Sequence, residues 1–373
     1  MEDHQLVLYR KYRPKSFREV KGQDHIVRAL ISALEAGRVS HGYLFSGPRG
    51  TGKTTVARLL AKAVNCEQKG SGEPCNACGI CEEFLRGSAL DLIEIDAASN
   101  RGIDEIRELR EAVRFAPHRA KRKVYIIDEV HMLTREAFNA LLKTLEEPPK
   151  HVMFILATTD PEKVPDTIRS RTQHFEFHRL PVSVIQERLE ELAQKENIKH
   201  EKEVPHVIAL LSEGSLRDAE SMFGQLLGIA DKEIITSEDV SILFGLPKAG
   251  LVAKFSSALL HGDIKTAFAV IEQSLEQGVD PKMFNKMAIE DLRTALLLAI
   301  NMAYENELKG TFSDERIAFL KNLAKKAGVK KIELALVPLL EAYHSPHTTV
   351  LPQIPLELAV LRITQTDQNQ LIS

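Results

Sequence analysis

Residues 47 to 54 read Gly47-Pro48-Arg49-Gly50-Thr51-Gly52-Lys53-Thr54, between the apolar run Tyr43-Leu44-Phe45 and the helical pattern Thr54-Thr55-Val56-Ala57-Arg58-Leu59-Leu60. A strand, a turn of the form G-x-x-x-x-G-K-[ST] and a helix, in that order, is the context in which this motif cradles phosphate. The glycines let the backbone curl until several N–H groups point inward, and the helix behind them adds the positive end of its dipole. Lys53 is expected to face solvent and to reach the β/γ-phosphates of a nucleotide, and Thr54 to reach a Mg²⁺ ion. The bland alternative, a glycine-rich turn that only caps a helix, does not require both flanks.

A second element follows at Lys123-Val124-Tyr125-Ile126-Ile127-Asp128-Glu129, a short β-rich run ending on adjacent carboxylates. It looks like a Walker B strand. Asp128 is expected to help hold Mg²⁺, and Glu129 to orient and activate the attacking water. Many buried strands end in acidic turns, so the run gains its meaning from the loop at Gly47. Together they point to nucleotide hydrolysis rather than binding alone.

All four cysteines fall in one stretch, Cys66, Cys75, Cys78 and Cys81, with the last three as C-x-x-C-x-x-C. Four thiolates at this spacing suit tetrahedral Zn²⁺, and with every position filled by protein the ion is expected to be structural. Disulfides are the alternative, disfavoured in the cytoplasmic compartment expected here. The segment also carries almost no apolar residues with which to fold unaided.

The 373 residues allow two or three domains. No apolar run approaches the length of a membrane span, and Met1-Glu2-Asp3-His4-Gln5 lacks the features of a secretory leader. A formal charge of −3 excludes a strongly basic body, so nucleic-acid contacts must use local patches or helix N-termini. Two basic clusters, residues 10–15 and 118–123, read equally as solvated surface or as DNA contacts.

Periodicity predicts strands at 43–46, 92–96, 124–128, 152–158 and 173–177, with helices at 24–36, 53–65, 103–115 and 134–146 between them. This alternation argues for a parallel sheet covered on both faces. Amphipathic helices follow at 182–195, 205–212, 216–230 and 237–244. The remainder, to about 363, is helical with breaks at Gly262, Gly278, Gly328 and Ser345-Pro346. The expected organisation is an α/β P-loop domain over 1–179 with the cysteine module at 66–81, a small helical lid over 180–245, and a helical collar over 246–373.

Three further constellations suit a nucleotide-dependent switch. Thr158-Thr159-Asp160 ends the strand beside Asp128 and resembles a sensor 1 motif, with Thr159 the chosen residue. In Arg169-Ser170-Arg171, Arg171 is a candidate arginine finger, unable to bend back easily to its own loop and so suited to a neighbouring subunit. Gly214-Ser215-Leu216-Arg217 starts a lid helix, from which Arg217 could meet the γ-phosphate and couple its loss to domain rotation. Each alone is a weak signal; in this order, with a helical lid, they resemble the AAA+ ATPases.

Within that superfamily, the segments around Tyr12-Arg13-Pro14, Phe17, Val20-Lys21-Gly22-Gln23, His41-Gly42-Tyr43-Leu44-Phe45-Ser46-Gly47, the four-cysteine insert, Ile93-Glu94-Ile95-Asp96-Ala97-Ala98-Ser99, Asp128-Glu129-Val130-His131-Met132-Leu133 and Asn139 to Pro149 resemble the gamma/tau family of bacterial DNA polymerase III clamp-loader subunits. The likeness is dense over about 7 to 245 and looser beyond. It implies a motor subunit of a five-membered, partly open ring with delta-type and delta-prime-type partners, using ATP to open a sliding clamp and place it on primed-template DNA. It further implies an adenine pocket lined from Tyr12 to Val20, including Arg13 and Pro14, beside a phosphate site of Gly47 to Thr55 (Pro48, Arg49, Gly50, Thr51, Gly52 and Thr55 among them). The helix starting near Gly102 is expected to follow DNA phosphates through its N-terminal N–H groups. By this resemblance any polymerase label comes from membership of a larger complex, since the sequence contains no separate nucleotidyl-transfer site, and no membrane partner is expected.

Two departures stand out. Where the family has Ser-Arg-Cys this chain has Ser170-Arg171-Thr172, whose extra hydroxyl needs a partner. The chain ends at Ser373, short of the linker and tail of the long tau form, leaving a short gamma-like product and a shortened tau as alternatives. Rival functions are a non-hydrolysing clamp-loader scaffold, opposed by the intact Gly52, Lys53, Thr54, Asp128 and Glu129, and a branch-migration type AAA+ motor, opposed by the cysteine insert and the helical C-terminal part.

Overall fold

The computed structural model describes residues 7–68, 72–100, 102–229, 234–345 and 351–370. Its first half alternates strands with helices. Helix α1 (Leu8–Lys11) and α2 (Asp24–Glu35) precede β1 (Gly42–Ser46) and α3 (Lys53–Asn65); α4 (Gly79–Arg86) lies in the cysteine-rich insert before β2 (Leu92–Asp96). Then come α5 (Ile103–Ala112), β3 (Lys123–Asp128), α6 (Arg135–Glu146), β4 (Val152–Thr158), α7 (Asp166–Arg169) and β5 (Gln173–Glu176). The sheet order is β2-β3-β4-β1-β5, every pair parallel.

Parallel strands need covered faces, and the alternation along β1, β3 and β4 supplies apolar side chains to both. Tyr43, Phe45, Val124, Ile126, Met153 and Ile155 pack with Ile26, Leu30, Val56 and Leu60 of α2 and α3. Leu44, Tyr125, Ile127, Phe154 and Leu156 pack with Ile106 of α5 and Phe138 and Leu141 of α6 on the other side. The register sets Asp96 beside Asp128 and Ser46 beside Thr158, so the strands' C-terminal ends meet in one row.

Helices α8 (Val182–Lys195), α9 (Glu203–Leu211), α10 (Leu216–Ile229) and α11 (Ser237–Phe244) follow, with a parallel pair β6 (Lys199–His200) and β7 (Ile234–Ile235) too short to register as strands in the sequence. The C-terminal part is α12 (Ala249–His261), α13 (Ile264–Glu276), α14 (Pro281–Ile300), α15 (Glu305–Leu308), α16 (Asp314–His344) and α17 (Ile354–Gln370). The predicted breaks at Gly262 and Gly278 fall between helices, and Gly328, at φ 69° and ψ 171°, breaks the helical path inside α16. The break at Ser345 follows α16, while Pro346 lies outside the described residues.

Two compact units are present. One holds the residues up to Leu189 together with Ala209–Gly224, and the other holds Glu190–Ile208 and the residues from Gln225 onward. The core of the second is a continuous helical cluster, including Phe255, Phe284, Leu292, Leu320, Leu339 and Val360. Among the described residues no single helix is long and apolar enough to cross a membrane.

Candidate nucleotide site and cysteine cluster

The loop after β1 closes against the chain that follows β5. A Cβ on Gly47 (φ 131°) would lie 2.1 Å from the Phe177 carbonyl oxygen, and one on Gly50 (φ 73°) 1.9 Å from Ser215 Oγ. Only glycine permits both the backbone angles and the approach. The Leu216 N–H donates to the Gly50 carbonyl at 3.1 Å, tying the start of α10 to the loop. Gly52, left-handed at φ 105°, caps α3 without a side-chain hydrogen bond, so the helix's first N–H groups are directed at the loop as an anion site.

Lys53 departs from expectation. It is 6% exposed, and its Nζ donates to the Gly47 and Pro48 carbonyls at 2.7 and 2.8 Å. The loop curls around the stem of the lysine and offers its carbonyls to the ammonium, so the charge is sheltered rather than solvent-facing. Burial pulls the Lys53 pKa down, opposed by the Glu129 and Asp128 carboxylates.

Thr54 Oγ1 donates to Asp128 Oδ2 at 2.8 Å, joining the end of the loop to the end of β3. Glu129 is left-handed at φ 48°, ψ 45°, an uncommon state for a residue with a Cβ and one found where a site demands a particular side-chain direction. Its Oε2 accepts from both the backbone N–H and the hydroxyl of Thr159, at 3.1 and 2.8 Å, and His131 Nδ1 lies 3.4 Å away. His131 Nδ1 also meets Thr158 Oγ1 at 2.9 Å.

A cavity of about 410 Å³ runs from these groups towards the N-terminal segment. Arg13, Pro14, Val20, Arg49, Gly50, Thr51, Gly52, Lys53, Thr54, Thr55, Asp128, Glu129 and Arg217 line it, and all were expected at the site. Gly47, Pro48 and Thr159 line instead an adjoining cavity of about 710 Å³, which shares Arg49 and Glu129 with the first. Arg171 lines neither. It pairs with Glu146 Oε1 at 2.7 Å and donates to the Thr167 carbonyl at 2.9 Å. The extra hydroxyl of Thr172 finds its partner in the Ile168 carbonyl at 3.1 Å.

Several lining residues were not anticipated. The Arg217 guanidinium sits 4.8 Å from the centre of the Tyr9 ring. Arg217 first, and Arg10 after it, hold the Tyr9 phenol below its ordinary pKa. Arg188 and Glu220 form a buried ion pair at 3.0 Å, and Arg188 also donates to the Tyr12 carbonyl at 2.8 Å, fastening the Tyr12-Arg13-Pro14 segment to α8 and α10. In the second basic cluster the side chains of His118 and Arg119 are exposed, while the backbone N–H groups of His118, Arg119 and Ala120 wrap the Asp91 carboxylate at 2.7 to 2.8 Å. Burial alone would raise the Asp91 pKa, but these donors outweigh it and the net shift is downward.

The four Sγ atoms of Cys66, Cys75, Cys78 and Cys81 lie within 4.8 Å of one another. A tetrahedral thiolate site with bonds of about 2.3 Å needs sulfurs roughly 3.8 Å apart, and Cys75 and Cys81 are 3.9 Å apart. Backbone N–H groups of Cys75, Cys78 and Cys81 point at Sγ atoms at 3.3 to 3.5 Å, which favours thiolates. The Ala77 N–H leads in drawing Cys75 down to about 6, whereas burial pushes Cys66 and Cys81 up. Four sulfurs converging on one point fit a bound divalent cation.

A glycine loop after the first strand, an acidic pair at the end of β3 and an all-parallel β2-β3-β4-β1-β5 sheet define a P-loop domain of the AAA+ class. The family model described as "DNA polymerase III, delta subunit" matches residues 22–181, and that for "DNA polymerase III subunits gamma and tau domain III" matches 235–372. DNA polymerase III subunit tau of Bacillus subtilis is 41% identical over 359 residues, covering 96% of this chain and 63% of the relative. Subunit tau of Escherichia coli K12 is 45% identical over 274 residues, covering 74% and 42%. The chain belongs to the DNA polymerase III gamma/tau family. It spans about half the length of the curated relatives it matches. Among solved structures, the Thermotoga maritima RuvB Holliday junction branch migration motor is similar at 21% identity and TM-score 0.47, over 66% of this chain and 79% of that one.

Proposed function

We propose that this chain is an ATP-hydrolysing motor subunit of a bacterial clamp loader, opening a sliding clamp and loading it onto primed-template DNA. The observation that carries the reading is the Thr54–Asp128 hydrogen bond at 2.8 Å with Glu129 next in sequence, in the cavity that also receives Arg217. Family membership supports clamp loading over branch migration, and the intact acidic pair supports hydrolysis over a scaffold role.

In this reading Lys53 leaves its carbonyl partners to pair with the β/γ-phosphates, and Thr54 and Asp128 hold magnesium. When bound, that ion would neutralise charge building on the phosphates. Glu129 takes the proton of the attacking water while Thr159 fixes its carboxylate. Arg217 stabilises the γ-phosphate from the lid. Arg171, held by Glu146 away from its own cavity, serves a neighbour's site. The N-terminal segment through Arg13, Pro14 and Val20 cradles the base.

The proposed organisation is a P-loop domain over 1–179, a lid over 180–245 and an oligomerising collar over 246–373. The partners are delta-type and delta-prime-type subunits in a five-subunit ring, and the setting is the cytoplasmic replisome. The four cysteines hold structural zinc, and α5, starting after Gly102, follows DNA phosphates. The test is steady-state ATPase activity of the chain alone, then with partner subunits, clamp and primed DNA. A low basal rate rising sharply only with clamp and primed DNA together is expected; a rate indifferent to the clamp would overturn the assignment.

A further inference from the structure

A second cavity of about 500 Å³ lies behind the nucleotide site, between the N-terminal segment, α3 and α4. Arg10, Lys11, Arg13, Lys15 and Arg58 line it together with the buried Lys62, and no lining residue is acidic. The floor is apolar, built from Leu59, Phe84, Leu85 and Leu92, and Leu85 is 43% exposed although it sits on a helix next to packed core.

Some of this charge is used internally. Arg58 pairs with Glu94, just outside the cavity, yet its buried Nε has no hydrogen-bond partner. Lys62 donates to the Lys15 carbonyl at 2.8 Å and to Asn76 Oδ1 at 2.5 Å. Even so, the cavity keeps a clear positive excess over an apolar floor, a pairing that neither core packing nor simple solvation requires.

We propose that this cavity docks an acidic peptide segment bearing a large apolar side chain, presented by a partner protein. The cations complement carboxylates and the leucine floor takes the apolar group. A nucleic-acid strand is the poorer fit, because strand-binding grooves offer successive aromatic platforms for the bases. Here the single aromatic, Phe84, packs against the core of the sheet domain. The site lies outside the nucleotide cavity but shares Arg13 and Pro14 with it, so Lys15 and Leu85, which line only the second cavity, are the residues to vary.

The probe is a fluorescein-labelled, aspartate-rich peptide ending in leucine and phenylalanine, titrated against the whole chain by anisotropy. Its controls are the same peptide with both apolar residues replaced by serine, and a short oligothymidylate. Micromolar binding is expected, weakened at least about tenfold by Lys15→Glu, by Leu85→Ser and by the serine-tailed control. ATP affinity should stay unchanged in Leu85→Ser, which lies outside the base-binding segment, and the melting temperature should stay unchanged in both variants. Equal binding of the serine-tailed peptide, indifference to Leu85→Ser, or displacement by lower concentrations of oligothymidylate would each overturn the proposal, the last by making this a nucleic-acid face.

Discussion

Thr159 grips Glu129 twice: its backbone N–H and its hydroxyl both donate to the same carboxylate oxygen, Oε2, at 3.1 and 2.8 Å. The two residues are 30 positions apart and meet because β3 and β4 are adjacent and end together. A base held this way has one oxygen committed to the protein and the other left for water. Glu129→Gln should lower ATP turnover by about 10²-fold or more with nucleotide affinity changed by no more than a factor of a few. Thr159→Val, which keeps the backbone donor, should lower kcat by about tenfold. Wild-type turnover in either variant would remove the assigned role.

Lys53→Ala is expected to abolish detectable nucleotide binding and hydrolysis while leaving the fold intact. The ammonium's two partners are loop carbonyls that water can satisfy, and no core side chain depends on it. Calorimetric titration with ATP alongside a thermal melt checks both halves; retained turnover contradicts the site.

Arg171 is held by Glu146 and lines neither cavity of its own chain. Arg171→Ala should therefore leave ATP affinity of the isolated chain alone and depress hydrolysis only in the assembled ring, by roughly 10³-fold if it meets the neighbour's transition state. An equal loss in the isolated chain would mean that the arginine acts in cis.

For the cysteine cluster the expectation is one zinc ion per chain in protein purified without chelator. Cys78→Ser should reduce the metal content and lower the melting temperature, because the insert is joined to the P-loop domain through Lys62–Asn76 and Lys121–Cys66 contacts. Elemental analysis finding no metal in the wild-type chain would refute this.

In the second unit, burial holds His206 down at about 4, with Arg293 acting in the same direction and Glu203 against it. The ring is neutral at neutral pH, so its 3.9 Å approach to Glu290 is not an ion pair there. A folded pKa below the unfolded value of about 6.5 means the unfolded chain binds more protons between the two. The histidine's contribution to stability is full above that window and is lost as pH falls through it. Asp291, pushed up by burial to about 6, slopes the opposite way. His206→Phe keeps a ring against Phe312 and removes the titration. Its urea midpoint should fall less than the wild-type midpoint on acidification from pH about 6.5 to about 4. Parallel midpoint curves would show that His206 does not titrate as described.

Much of the architecture was legible along the chain. The loop at Gly47, the carboxylates closing β3 and the four cysteines are contiguous signals, and β2, β4, α3, α8 and α11 begin and end where periodicity predicts. Short elements escaped: α1, α4 and the β6–β7 pair are too brief for a period to emerge. The sheltering of Lys53 escaped too, since the carbonyls that hold it belong to the loop's own curl.

Local sequence thus determined which chemistry the chain carries, because phosphate loops, strand-end carboxylates and metal knuckles are built from neighbouring residues whose backbone geometry is set by glycine and spacing. Tertiary structure alone decided which distant groups join them. Tyr9 meets Arg217, Arg188 meets Glu220, and Thr159 meets Glu129 because parallel crossovers and a returning helix bring remote segments to one row of strand ends. Such contacts leave no periodic trace in the chain, since each depends on where two elements end in space rather than on the residues between them.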